Sequence, residues 1–139
     1  DEHVIDCAIK NNRFNVIKWF LFNGYRMYNL NIFDKLLAYG DIELLDEWVN
    51  RIGATNPSIY NIDDVVKNDN CIEILNWMKQ QNFPAYYTTN ALMYAINNGR
   101  IDVLTWINQN CGLNESDIEF VKAYAINKNM SIVDWAMAL

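Results

Sequence analysis

Histidine is nearly missing from this chain: His3 is the one instance, and it stands at the very start of 139 residues. A Ser–His or Cys–His dyad, or a histidine-based metal cluster, is therefore not easily assembled. Basic residues are also scarce. Eleven lysines and arginines, scattered singly, stand against 17 acids for a net charge of -6 and a pI near 4.6. Counterion release from nucleic acid needs clustered cations, so the balance argues against a nucleic-acid partner. Cysteine is limited to Cys7, Cys71 and Cys111, an odd set without a Cys-x-x-Cys pair. Neither a disulfide framework nor a zinc site follows from that, and a reduced, cytoplasmic protein fits best. Long apolar runs are absent too. The stretch Trp19-Phe20-Leu21-Phe22 is closed by Lys18 and Asn23, far short of the ~18 residues of a membrane span. No secretory signal opens the chain, and a start at Asp1 leaves room for an upstream segment.

What the chain does have is apolar material, at 52% of residues with 14% aromatic, enough to form a core and to exclude disorder as the main state. Its tryptophans, Trp19, Trp48, Trp77, Trp106 and Trp135, recur every 29 residues with none outside the series. Fixed self-similarity at such a period marks stacked units that cannot bury their apolar faces alone. Residues 95–106, AINNGRIDVLTW, agree with residues 8–19, AIKNNRFNVIKW, at 6 of 12 positions, and VKNDNCIEILNW at 66–77 keeps the register. The copies around LLAYGDIELLDEW and AINKNMSIVDW are looser, the first with one extra residue before Trp48 and the second with Tyr124 where the others are small or aliphatic. Measured on the first apolar residue, Phe14, Ile42, Ile72, Ile101 and Met130, the steps are 28, 30, 29 and 29. Even tryptophan spacing conceals a compensated shift.

Each unit resolves into two short helices. Ala91, Leu92, Ala95 and Ile96 form one apolar stripe; Gly99 interrupts; Ile101, Val103, Leu104, Trp106 and Ile107 form another. The interrupting slot holds Asn12, Gly40, Asn70 and Gly99, with Lys128 in the fifth unit, and the second helix stops at Gly24, Gly53, Asn82 and Gly112. Glycine and asparagine are the residues that accept a left-handed backbone at a helix end. The connectors that follow read as irregular loops. Ser116 with Glu119 has the form of a capping box, and Asp63, Asp64 and Asp117 place acid in first turns, where the helix dipole favours it. The last four residues, Ala136 to Leu139, carry no such stop, so the array is expected to continue or to pack against another chain.

This order of small residue, turn, apolar-acidic-apolar-apolar run, tryptophan and closing glycine resembles the ankyrin repeat, most clearly in GRIDVLTWINQNCG at 99–112. It is closest to the short, divergent repeats of amoebae and large DNA viruses. The unit of about 29 residues is shorter than the family's, and the Thr-Pro-Leu-His opening is missing. The resemblance implies an all-α, ankyrin-like solenoid of about five helix-turn-helix repeats, approximately 1–29, 30–58, 59–87, 88–115 and 116–139, forming one array. It also implies a non-enzymatic protein-binding scaffold that uses first-helix faces and connector tips, with no catalytic residue to transfer.

Adjacent acids, Asp63-Asp64 and Asp46-Glu47, do not converge on a substrate, because neighbours on a helix point about 100° apart. The tryptophans are expected in the core and the cysteines as buried hydrophobes without a basic neighbour. The matches to a glycosylation acceptor at Asn114 and Asn129 are expected by chance in so asparagine-rich a chain. Catalytic, metal and cofactor residues are therefore expected to be none, with no small-molecule substrate. Tyr25, Arg26, Tyr28, Tyr86 and Tyr87 occupy connectors and are types enriched at interface hot spots; with Asp63 and Asp64 they form the candidate partner-binding set. A partner with basic patches suits the charge. The alternative is a structural subunit built permanently into an assembly such as a virus particle, which would place the protein in host cytoplasm or in the particle.

Overall fold

The computed structural model describes residues 2–25, 27, 32–53 and 59–139. Among them the protein is mostly helical, with nine α-helices, one 3₁₀ turn and one pair of two-residue strands. The chain divides into two compact units, Asp1–Pro57 and Ser58–Leu139. That division falls at the boundary between the second and third sequence repeats.

The first unit holds α1 (Glu2–Lys10), α2 (Phe14–Phe22), α3 (Phe33–Tyr39) and α4 (Ile42–Arg51). Phe14, Ile17 and Leu21 on α2, Phe33, Leu36 and Leu37 on α3, and Leu44, Leu45 and Trp48 on α4 are buried. These i, i+3, i+4 and i+7 spacings put each set on one stripe, and each fully buried Leu or Ile contributes roughly 1.5–3 kcal/mol of transfer free energy. Helix α1 packs on α2, α3 on α4, and α2 along α4. Asp41 caps α4, its carboxylate accepting from the Leu44 N–H at 3.2 Å.

The second unit runs β1 (Tyr60–Asn61), a 3₁₀ turn (Val65–Lys67), α5 (Cys71–Gln80), β2 (Ala85–Tyr86), α6 (Thr89–Asn97), α7 (Ile101–Asn110), α8 (Glu115–Ala125) and α9 (Met130–Met137). Two layers result. The 3₁₀ turn, α6 and α8 lie side by side, α5 lies along α7, and α6 and α8 pack on α7 and α9. Small side chains permit the close approach of the first layer, with Ala91, Ala95, Val121 and Ala125 all at 0% exposure. Links between successive repeats span about one period: Arg100 Nη2 donates to Cys71 Sγ at 3.2 Å, and Trp106 Nε1 to Asn76 Oδ1 at 2.9 Å.

Several expectations need correction. The third repeat has no first α-helix; residues 59–70 carry β1 and a single 3₁₀ turn instead. The Asn61 side chain accepts from the Asp63 N–H at 2.8 Å, a local turn that competes with helix, and Val65-Val66 adds β-branching. The connectors are not all loops: β1 and β2 pair in parallel, with Tyr60 opposite Ala85 and Asn61 opposite Tyr86. In the interrupting slot Asn12, Gly40 and Gly99 are left-handed as expected, but Asn70 has φ of -95°, and in the fifth unit Asn127 takes that conformation instead of Lys128. The second-helix stops Gly24, Gly53, Asn82 and Gly112 are all left-handed. Helix α8 is capped by Asn114, whose side chain accepts from the Asp117 N–H at 2.7 Å, and Ser116 lies inside the helix.

The tryptophans do not share one environment. Trp48, Trp77 and Trp106 are 1%, 6% and 8% exposed, Trp135 is half-buried, and Trp19 is 55% exposed. Aligned on the buried residues Ile17, Leu45, Leu75, Leu104 and Val133, four tryptophans lie two residues on, and Trp48 lies three on. The extra residue before Trp48 turns it to the innermost position, equivalent to Met78 and Ile107, both at 0%. Trp19 lies on α2 at the outer position of its stripe. Among the described residues nothing takes the place that α5 takes beside Trp106; the ring rests on Phe20 and Tyr25, at 5.3 and 5.7 Å between centroids.

Candidate protein-interaction surface

In the second unit Tyr86 and Tyr87 lie on the connector that leaves α5, and Asp63 and Asp64 lie on the segment that precedes the 3₁₀ turn. Pro84 to Thr88 is held from three directions. Backbone pairing joins it to β1, with the Tyr60 N–H donating to the Pro84 carbonyl at 2.8 Å and the Ile62 N–H to that of Tyr86 at 3.0 Å. Asp63 accepts from the Thr88 N–H at 2.9 Å and also from its hydroxyl. On the far side the Tyr87 hydroxyl donates to Asp117, with the Gly112 carbonyl 3.4 Å away. Burial first, and then the Asp117 carboxylate, pushes the Tyr87 phenol well above the ordinary tyrosine range.

This bracing sorts the candidates by what they can offer a partner. Tyr87 is half-buried and occupied by Asp117, Asp63 is occupied by Thr88, and Asp64 is ion-paired with Lys67 at 3.3 Å. Tyr86 stays 39% exposed on the braced strand. On either side of Ala85 and Cys111 lie two open clefts. One, of about 310 Å³, is lined by Lys79, Phe83, Pro84, Trp106 and Asn110; the other, of about 480 Å³, by Tyr86, Tyr87, Thr88, Asn114 and Asp117. Tyr25, in the first unit, is 49% exposed and packs edge-on against Phe20 at 5.0 Å. Arg26 and Tyr28 lie outside the described residues. The bracing roles of Thr88, Asp117 and Gly112 had no local signal, because their partners lie 25 to 30 positions away; the sequence marks Asp117 only as a first-turn acid and Gly112 only as a helix stop.

The cysteines and the adjacent acids occupy different surroundings. Cys71 is fully buried, and burial pushes its thiol up although Arg100 stands beside it and opposes the shift. The expectation of no basic neighbour thus fails at Cys71, while its buried character holds. Arg100 also binds Asp102 at 2.9 Å and holds that carboxyl below the usual range. Cys111 is half-buried, its thiol 3.7 Å from the Ala85 carbonyl and likewise raised by burial. Cys7 is exposed and sits 3.8 Å from His3 Nε2 at four-residue helical spacing, so the expectations of a buried cysteine and of no Cys–His pair fail at this position. Glu47 is ion-paired with Arg51 at 2.8 Å. Among the described residues no three His, Cys, Asp or Glu side chains converge as metal ligands, and no helix is long and apolar enough to cross a membrane. Comparison with protein-family models, with curated proteins and with solved structures finds no match for this chain in any of the three.

Proposed function

We propose that this protein is a non-enzymatic protein-binding module, an ankyrin-like array of short helix pairs that presents its connector face to a partner. The observation that carries the reading is the Pro84–Thr88 connector, a loop fixed by a strand pair and two carboxylates that leaves Tyr86 39% exposed on the wall of an open cleft. A tyrosine held in place loses little entropy on binding and offers both apolar area and a hydroxyl. Tyr25 on its aromatic base in the first unit is a second point of the same kind. The acidic net charge favours a partner with basic patches, acting on encounter rate more than on affinity. Tyr86→Ala and Tyr25→Ala test the reading against a partner captured by the full chain. Each is expected to leave the melting temperature nearly unchanged and to weaken capture by tenfold or more, the cost of roughly 1.4 kcal/mol at a hot spot. Lower melting temperatures with capture intact would make both residues packing elements.

A further inference from the structure

Strand β2 is paired along one edge. Its register with β1 engages every second residue of the connector: the Pro84 and Tyr86 carbonyls accept from Tyr60 and Ile62, and the Thr88 N–H turns the same way to reach Asp63. Extended backbone alternates, so the polar groups of Ala85 and Tyr87 face the opposite edge. There the Ala85 carbonyl meets the Cys111 thiol, a weak donor, at 3.7 Å, and the Ala85 and Tyr87 N–H groups have no acceptor among the described residues. The next connector does not complete the sheet, which stays two-stranded among the described residues. Gly112 is left-handed, and Asn114 is engaged in capping α8. Both clefts open along this edge, with Ala85 and Cys111 in the wall of each, and both connectors lie inside the second unit.

We propose that an extended segment of a partner protein adds a third strand along the free edge of β2, pairing with Ala85 and Tyr87 and setting a lysine or arginine against Asp117. Backbone donors and acceptors left open in a row select another backbone, which satisfies them at about 3.3 Å per residue whatever its side chains. Charge narrows the segment. Asp117, held in place by the Tyr87 hydroxyl, is the one charged residue among the described residues in the wall of the larger cleft, and a basic side chain supplies its counter-charge. Strand addition rests on the connector face being a protein-binding surface, and it specifies how that surface is read: by backbone pairing, with the exposed Tyr86 ring alongside.

Amide NMR shifts of the full chain, titrated with an acetylated and amidated hexapeptide of alternating valine and threonine carrying one central lysine, test this. The Ala85 and Tyr87 amides are expected to move downfield and saturate, while those of Tyr60 and Ile62, already bonded within the sheet, stay in place. Ala85→Pro removes a donor that faces the cleft and none that β1 uses, and is expected to weaken binding about tenfold. The same peptide N-methylated at alternate residues cannot pair along that edge and is expected not to bind, a control independent of any effect of proline on the fold. Asp117→Asn keeps an acceptor for Tyr87; it is expected to weaken the lysine peptide roughly threefold and to leave a lysine-to-threonine counterpart unchanged. Ala85 and Tyr87 amides that stay in place, an N-methylated peptide that binds as well as the parent, or an Asp117→Asn variant that treats both peptides alike would each overturn the proposal. If capture of a protein partner depends on Tyr86 while the hexapeptide leaves Ala85 unmoved, the protein-binding reading stands and strand addition falls.

Discussion

Tyr87 shows how a residue type that suggests binding can be taken over by packing. Its hydroxyl is spent on Asp117, and the folded state keeps the phenol protonated beyond the ordinary range. A folded pKa above the unfolded value near 10 means that this stabilisation is fully present below about pH 10 and is lost as pH rises from there. Lys18, raised by its hydrogen bonds to Asp41 and then Glu43, loses its contribution in the same direction and in a similar window. Tyr87→Phe should therefore cost about 1–2 kcal/mol at neutral pH, by leaving Asp117 without its donor, and should flatten the decline of stability above about pH 10. Urea midpoints measured from neutral to alkaline pH check both effects. Trp48 carries a related lesson, because equal spacing in sequence placed it on a different face of its helix from Trp77 and Trp106.

Helix ends follow the same rules wherever a left-handed residue is required. Gly112 closes α7 at φ of +79°, with open space around the position of a Cβ. Gly112→Ala should then cost about 1–2 kcal/mol from backbone conformation alone, without a clash, as read by chemical denaturation. At this scale the sequence was informative about second helices, whose apolar stripes and Gly or Asn stops are local signals. It was less informative about the third repeat, where a first helix was expected. Asn61 engages the Asp63 backbone, Asp63 reaches Thr88, and Tyr60 pairs with the next connector, so that segment is shaped by partners up to 25 residues away. The cap of α8 illustrates competition between two adjacent signals: Ser116 with Glu119 has the form of a capping box, but Asn114 lies where the chain enters the helix and takes the Asp117 N–H. Tyr124, the large residue in a small slot, is accommodated by stacking on Phe120 at 5.5 Å and accepting from Asn97 at 3.2 Å.

For the whole molecule, repetition was legible because stacked units repeat their chemistry at one period. Arg100 reaches Cys71 and Trp106 reaches Asn76 across 29 and 30 residues. Of the candidate surface, Tyr25 and Tyr86 could be named from connector position; the bracing that separates Tyr86 from Tyr87 depends on tertiary partners that no local pattern contains. The tryptophan series is a packing register in which the face each ring takes on its helix, and not spacing, decides burial. Acrylamide quenching of Trp19→Phe beside the wild type tests it most directly. This one change is expected to remove most of the readily quenched fluorescence and to leave a blue-shifted spectrum from Trp48, Trp77 and Trp106, with Trp135 as the remaining accessible part. An accessible fraction unchanged in Trp19→Phe, with the loss appearing in Trp48→Phe instead, would contradict it.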